Sequence, residues 1–191
     1  MFLFPVLAWA YHVRVSGREN LRGLKGPVLI AANHNLALDN GLILKAMPWR
    51  VRRRLAIAAN AETFRSPVWR IVNPFLGNGF PFSKEGAVRA SLDNLGRILD
   101  GRWSVLIYPE GELTIGGPMK PFMMGTGLVA VEGRVSMVPA RLRIHRFGIP
   151  RLVPLLRRGE VEIRFGKPQA FAPGSSYLEA TQALEDAVKA L

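Results

Sequence analysis

A histidine and an aspartate lie five positions apart, as His34 and Asp39, directly after the short apolar run 27–32. On one continuous helix this offset would place them on different faces, but a loop that turns into a helix at Asp39 brings them within hydrogen-bond reach. A carboxylate on one imidazole nitrogen fixes the tautomer and leaves the other nitrogen to take a proton from a hydroxyl group. The pattern predicts a general base with an orienting acid. Taken alone, it also fits a loop histidine followed by an aspartate that caps a helix.

A second polar segment, Tyr108-Pro109-Glu110-Gly111, follows the buried run Val105-Leu106-Ile107. Open α/β sheets bind their ligands beyond the carboxyl ends of the strands, so a carboxylate and a glycine at this point are placed to line a substrate pocket. The alternative is an ordinary Pro-Gly turn with Glu110 in solvent.

Hydrophobic periodicity gives the elements that must position these groups. Apolar or alternating runs predict strands at 27–32, 54–59, 104–108, 137–144 and 160–165. Period-3.6 patterns and capping residues predict helices at 39–47, 84–99 and 176–191. Strands that alternate with helices indicate an α/β fold, and we expect a single-domain sandwich over 1–191 with a mostly parallel or mixed sheet flanked by helices.

The first 13 residues, MFLFPVLAWAYHV, are uncharged apart from the histidine and are rich in aromatic side chains. They are shorter than the roughly 20 apolar residues that span a bilayer. They also lack the basic leader of a cleaved secretory signal. We expect a core-packing first helix or a segment in contact with a membrane.

The charge balance favours anionic partners, because 26 basic residues face 14 acidic ones and give a net charge of +12. Two stretches carry only basic charges, one from Lys45 to Arg54 and one from Arg134 to Arg158. They predict two positive surfaces suited to coenzyme phosphates or an anionic membrane. The chain has no cysteine and 3 histidines, which excludes disulfides and cysteine catalysis and argues against a metal site.

Taken together, these motifs resemble those of the glycerophosphate and lysophosphatidate acyltransferases. Asn33-His34 with Asp39 resembles the family's N-H-x4-D motif, and Pro109-Glu110-Gly111 resembles its P-E-G motif. Two later segments match in the same order, Phe122 to Gly125 as F-x-x-G and Val138-Pro139-Ala140 as the short proline motif. The glycine- and phenylalanine-containing motif falls on 77–84, with Lys84 where an arginine is usual.

One position departs from the resemblance. The family commonly has T-R-S after P-E-G, whereas this chain has Glu112-Leu113-Thr114, so the arginine that would bind an acceptor phosphate is absent there. Lys84, Lys120 and Arg141 are candidates for a replacement cation, and each also fits a solvated surface charge.

The resemblance implies transfer of a fatty acyl group from acyl-CoA or acyl carrier protein to a hydroxyl of a lysoglycerolipid acceptor, in phospholipid biosynthesis. It makes His34 the general base and Asp39 its orienting partner, with these substrate-binding residues: Asn33, Lys84, Glu110, Gly111, Lys120 and Arg141. No metal or cofactor is expected, and we expect a cytoplasmic enzyme that is peripheral on the inner face of an anionic membrane.

Two other functions fit parts of the sequence. A basic module that binds nucleic acid or another anionic surface would explain the charge but not the two polar motifs, so no nucleic acid is expected. A thioester hydrolase would use the same histidine and aspartate on water, but the chain lacks a G-x-S-x-G nucleophile motif.

Overall fold

The computed structural model describes residues 11–35, 38–65, 78–83, 88–146 and 159–191. The strands are β1 (Tyr11–Ser16), β2 (Val28–Ala32), β3 (Leu55–Asn60), β4 (Gly79–Phe82), β5 (Ser104–Ile107), β6 (Ser136–Arg146) and β7 (Gly159–Phe165). The helices are α1 (Glu19–Arg22), α2 (Asp39–Ala46), α3 (Trp49–Arg52), α4 (Val88–Asp100), α5 (Gly125–Glu132) and α6 (Tyr177–Ala190), with a 3₁₀ turn at Ala61–Arg65.

Within the described residues the strands form one sheet in the order β1-β7-β6-β2-β5-β3-β4. Every pair of neighbours is parallel except β6 and β7, which are antiparallel. The fold is therefore an α/β domain with a mostly parallel sheet flanked by helices, as the sequence predicts. The edge strand β4 contains Pro81, and an edge is where a proline can be accommodated without losing a ladder hydrogen bond.

Strand β2 lies near the middle of the sheet and is buried on both faces, which is why its sequence is continuously apolar. Its alternate residues separate the two core layers. Ile30 and Ala32 pack with Leu42 and Ile43 of α2 on one side. On the other side, Leu29 and Ala31 belong to a cluster that includes side chains of α4, α5 and α6, among them Leu95, Val129 and Leu184. Full burial of each such aliphatic side chain contributes about 1.5–3 kcal/mol.

The registers align the ends of the central strands. Leu29 pairs with Val105 of β5, and Ala32 pairs with Ala140 of β6. The chain leaves β2 and β5 at the same edge of the sheet, so the two polar motifs that follow them are brought side by side. We call the end of the sheet at which β2 and β5 finish the C-terminal edge. The opposite end, where β2, β3, β5 and β6 begin, is the N-terminal edge.

Each predicted strand is confirmed to within two residues at either end, as are the first and last predicted helices. Other elements differ from expectation. Residues 11–13 begin strand β1, which pairs with β7, so they are not part of a first helix. Strand β4, helix α5, the short helices α1 and α3 and the 3₁₀ turn are elements that the sequence analysis does not predict. Helix α5 packs closely on α6 because Gly127 has no Cβ, and a Cβ there would lie 1.8 Å from the Tyr177 carbonyl oxygen.

Several predictions fall outside the described residues. They concern residues 1–10, Lys84 and the start of the helix predicted at 84–99. In the part of the chain that the structure covers, none of the helices combines the length and apolar character needed to cross a bilayer.

Candidate active site

The loop between β2 and α2 brings His34 and Asp39 together. The imidazole Nδ1 lies 3.0 Å from Asp39 Oδ2, and the Asn35 backbone N–H donates to the same oxygen at 2.6 Å. Asp39 occupies the first turn of α2 and is fully buried, whereas 23% of the His34 side chain is exposed. A carboxylate acceptor selects the tautomer with the proton on Nδ1 and leaves Nε2 with a lone pair. The pair therefore has the geometry of an oriented general base.

Glu110 is buried and organises the loop from inside. It is 5% exposed. Its Oε1 accepts from the backbone N–H of His34 at 2.8 Å. Its Oε2 accepts from the Thr114 hydroxyl at 3.0 Å and from the backbone N–H of Lys120 at 2.8 Å. The Thr114 N–H in turn donates to the His34 carbonyl at 2.8 Å. These bonds give Glu110 a positioning role in the loop, and its contact with substrate stays a prediction.

Asn33 also acts within the protein. Its amide nitrogen donates to the Leu142 carbonyl at 2.9 Å, and its amide oxygen accepts from the Leu142 N–H at 2.7 Å. Asn35 donates to the same carbonyl at 2.9 Å. These bonds extend the hydrogen bonding between β2 and β6 beyond the end of β2, with side chains in place of backbone groups. They hold both residues that flank His34. Both ends of the buried Asn33 amide are used in these bonds, and its contact with substrate stays a prediction.

Gly111 supplies the turn that the second motif needs. Its φ of +72° lies in the left-handed region, where glycine carries no Cβ penalty, and its N–H donates to the Tyr108 carbonyl at 2.9 Å. This turn directs Glu110 beneath the His34 backbone.

Tyr108 is a site residue that the sequence reasoning missed. Its ring stacks on the His34 imidazole, with 4.1 Å between centroids and 18° between planes. Its hydroxyl donates to Asn40 Oδ1 at 2.6 Å. Burial, together with the nearby Asp39 carboxylate, raises the pKa of Tyr108 well above its usual range, so the hydroxyl keeps its proton. The available signal was its place at the end of β5, directly before Pro109-Glu110-Gly111.

Of the three candidate cations, the two that the structure describes have partners other than His34. Lys120 Nζ lies 2.7 Å from Glu112 Oε1, in an exposed ion pair on the loop that follows β5. Arg141 lies on the other face of β6 from the buried Leu142, and its guanidinium donates to the Val188 and Lys189 carbonyls at the end of α6. Burial, followed by repulsion from neighbouring arginines, lowers the pKa of Arg141. Lys84 lies outside the described residues.

Leu113 is close to the pair even though it carries no charge. It precedes Thr114, whose N–H bonds to the His34 carbonyl, and 37% of the residue is exposed. The position at which the family commonly has an arginine is therefore next to the candidate site and presents an apolar side chain.

The first predicted positive surface lies away from His34. Lys45 is in the last turn of α2, Arg50 and Arg52 are in α3, and Arg53 and Arg54 lead into β3. All five are therefore at or near the N-terminal edge. The arginines of the second surface that the structure describes are spread from the start of β6 to its far end.

The comparison with known families decides the identity. A sequence model of the family described as acyltransferase matches residues 12–143, a range that contains His34, Asp39, Tyr108 and Glu110. The chain belongs to the acyltransferase family.

Individual relatives of this acyltransferase-family chain agree. Human 1-acyl-sn-glycerol-3-phosphate acyltransferase beta is 31% identical over 116 residues, covering 59% of this chain and 40% of the human protein. The Caenorhabditis elegans protein acl-1, whose name provisionally gives the same activity, is 26% identical over 149 residues, covering 76% of this chain and 55% of that protein. The chain thus spans about half the length of these curated relatives.

A solved structure shares the fold. The crystal structure of PlsC from Thermotoga maritima, a 1-acyl-sn-glycerophosphate acyltransferase, superposes with a TM-score of 0.69 and 23% sequence identity. The match covers 96% of this chain and 72% of that one. It supports the architecture of the acyltransferase fold described above.

Proposed function

We propose that this chain transfers a fatty acyl group from a thioester of coenzyme A or acyl carrier protein to a hydroxyl of a lysoglycerolipid, in phospholipid biosynthesis. The observation that carries the proposal is the His34–Asp39 pair, with Nδ1 held at 3.0 Å and Nε2 turned away from the carboxylate. The names of the human and nematode relatives support an acceptor of the 1-acylglycerol-3-phosphate type.

In the proposed reaction, the acceptor hydroxyl oxygen attacks the thioester carbonyl while His34 Nε2 takes the hydroxyl proton. The tetrahedral intermediate then collapses, the C–S bond breaks, and the imidazolium returns the proton to the leaving sulfur. The products are an ester and a free thiol. Asp39 stabilises the imidazolium between these two steps, and its bond to Nδ1 keeps the ring oriented.

The remaining site residues support His34 rather than react. Glu110 and Asn33 hold the backbone on either side of it, and the Tyr108 ring fixes one face of the imidazole. Such an arrangement limits the motion of the base, and precise positioning of a catalytic group is a large part of rate enhancement.

The acceptor phosphate has no arginine at position 113. We propose that the chain binds its lysoglycerolipid acceptor without a guanidinium from this position. The cation described on the same loop is Lys120, whose Nζ lies 2.7 Å from Glu112 Oε1. We further propose that the enzyme works at the cytoplasmic face of a membrane, in peripheral contact with anionic lipid and without a nucleic-acid partner.

A thioester assay with and without lysolipid tests the proposal against its two rivals. Thiol release that requires the acceptor, with the acylated lipid identified by mass spectrometry, is the expected result. Release that ignores the acceptor would make the protein a hydrolase. No release from any thioester, combined with tight binding to polyanions, would make it a binding module.

A further inference from the structure

Large apolar side chains are exposed at one end of the sheet. Among the described residues, seven large hydrophobic residues are more than a third exposed, and Trp49 of α3 is the one at the N-terminal edge. The other six belong to the segment after β5 and to the first turn of α6. We call them the apolar rim: Leu113, Ile115, Met123, Met124, Tyr177 and Leu178.

Backbone contacts tie the apolar rim to the candidate site. The Thr114 N–H, between Leu113 and Ile115 in the chain, donates to the His34 carbonyl at 2.8 Å. The Met123 N–H donates to the Pro109 carbonyl at 2.9 Å, one residue from Glu110. The start of α6 joins the same group, because the Thr181 hydroxyl lies 3.4 Å from the Met124 carbonyl oxygen. The rim therefore borders the edge where His34 is exposed.

The exposure values are high for side chains of this kind. Ile115 is 68% exposed, Met124 63% and Leu178 61%. Single exposed hydrophobic residues are common on any surface, but several on adjoining segments beside a functional site mark an interaction surface. Phe122, in the same segment, is 6% exposed and belongs to the core. The segment therefore has one buried apolar side chain and leaves the apolar side chains of the rim exposed.

We propose that the apolar rim is a membrane-contact surface, which lies in the interfacial layer of a lipid bilayer and faces the His34 site toward lipid acceptors. This inference rests on the proposed function, since a lysoglycerolipid and its acylated product both reside in a bilayer. The rim combines flexible methionines and aliphatic side chains with the ring of Tyr177, whose hydroxyl donates to Glu132 Oε1 at 2.8 Å. Methionine and aliphatic side chains adapt to irregular apolar surroundings such as the outer layer of a bilayer.

Charges near the rim are paired. The cations Arg50, Arg53 and Arg54 are exposed at the N-terminal edge, away from the rim. On the rim's own segment, the exposed charges of Lys120 and Glu112 form an ion pair with each other.

Flotation of the full chain with vesicles tests the proposal without any thioester present. The vesicles are phosphatidylcholine alone and phosphatidylcholine with phosphatidylglycerol, each at low and high salt. The rim variants are Ile115→Asp, Met124→Asp and Leu178→Asp. The matched controls are Trp49→Asp, which is 62% exposed in the native chain, and Arg53→Glu, both at the N-terminal edge. Thermal melting verifies that each variant is folded.

Each rim variant is expected to lower the ratio of bound to free protein by about tenfold in both lipid mixtures, since burial of one large aliphatic side chain changes an equilibrium by about a power of ten. The controls should stay within about twofold of wild type, as for an exposed substitution outside the contact.

Three results would overturn the proposal: wild type that does not float, rim variants that bind as wild type does, or controls that lose as much binding as the rim variants. A fourth is a vesicle-free dimer that the rim variants dissociate, which would make a second copy the occupant. Rim-dependent flotation without any acyl transfer would contradict the proposed function alone, so the two failures can be told apart.

Discussion

Replacement of Asp39 by asparagine distinguishes two ways in which the carboxylate can support His34. Both the His34 Nδ1 and the Asn35 N–H contact the same oxygen, Oδ2, at 3.0 and 2.6 Å. An asparagine side chain must place its carbonyl oxygen there, because its NH₂ group would oppose the Asn35 N–H. The oxygen still accepts from Nδ1, so Asp39→Asn should keep the tautomer and lose only the negative charge.

The magnitude follows from the hydrogen bond to His34. A bond to a charged partner contributes about 1.5–3 kcal/mol and a neutral one about 0.5–1.5 kcal/mol. The imidazolium in the transition state of Asp39→Asn should therefore lose about 1–2 kcal/mol, which lowers kcat by about 5- to 30-fold. Asp39→Ala, which removes the acceptor altogether, should lower kcat by at least about 10³-fold.

The assay is acceptor-dependent thiol release at saturating thioester, with melting temperatures recorded for both variants. In serine hydrolase triads, an asparagine that selects the wrong tautomer costs about 10⁴ in kcat. A loss of that size in Asp39→Asn, equal to the loss in Asp39→Ala, would refute the single-oxygen reasoning.

Three other changes test separate parts of the structure. Leu113→Arg should lower the KM for lysophosphatidate by about one to two powers of ten, because a guanidinium binds a phosphate with charge-assisted hydrogen bonds. An unchanged KM would show that another cation already binds the phosphate. Tyr108→Phe keeps the ring on the imidazole and should retain kcat within about tenfold, whereas Tyr108→Leu should fall further; equal kcat values would exclude the stack as a positioning contact. Burial alone would raise the pKa of Glu185, but hydrogen bonds from Lys189 and the Phe122 N–H outweigh the burial and lower the pKa below the usual 4.5. The ionised Glu185 therefore stabilises the fold at neutral pH, and this stabilisation is lost as the pH falls through the lowered pKa. Glu185→Gln should therefore melt below wild type at neutral pH and approach it in acid, and a constant difference in melting temperature across that range would contradict the assignment.

The part of the site that could be predicted is local in sequence. The spacing of His34 and Asp39, with an apolar run before them, is enough to place a histidine on a loop and a carboxylate in the first helical turn. The same holds for Glu110 and Gly111 at the end of β5, because a glycine after a buried strand signals a turn whatever the rest of the fold does.

The rest depends on which strands are neighbours. The hydrogen bonds of Asn33 and Glu110 to backbone groups arise because the registers of β2 with β5 and β6 place those groups opposite their side chains. Arg141 alternates with the buried Leu142 and so faces α6, a helix that lies 36 positions further along the chain. Neither partnership leaves a signal in the local sequence.

Two elements were missed for reasons of local propensity. Helix α5 begins with Gly125-Thr126-Gly127, which disfavours a helix in isolation, and its burial between the sheet and α6 overrides that preference. Strand β1 follows an apolar run that favours a helix. The signal that marks it as a strand is the alternation of apolar and polar residues from Tyr11 to Ser16, which matches their alternating burial.

The most direct test of the proposed chemistry is acceptor-dependent thiol release by His34→Ala, with His12→Ala as the control at an exposed histidine of β1. Loss of the general base and of its orienting network predicts a fall in kcat of at least about 10³-fold for His34→Ala, together with a melting temperature close to that of wild type, since the side chain contributes little to the core. His12→Ala should keep wild-type turnover. Near-normal turnover by a folded His34→Ala protein would contradict the assignment of His34 as the catalytic base.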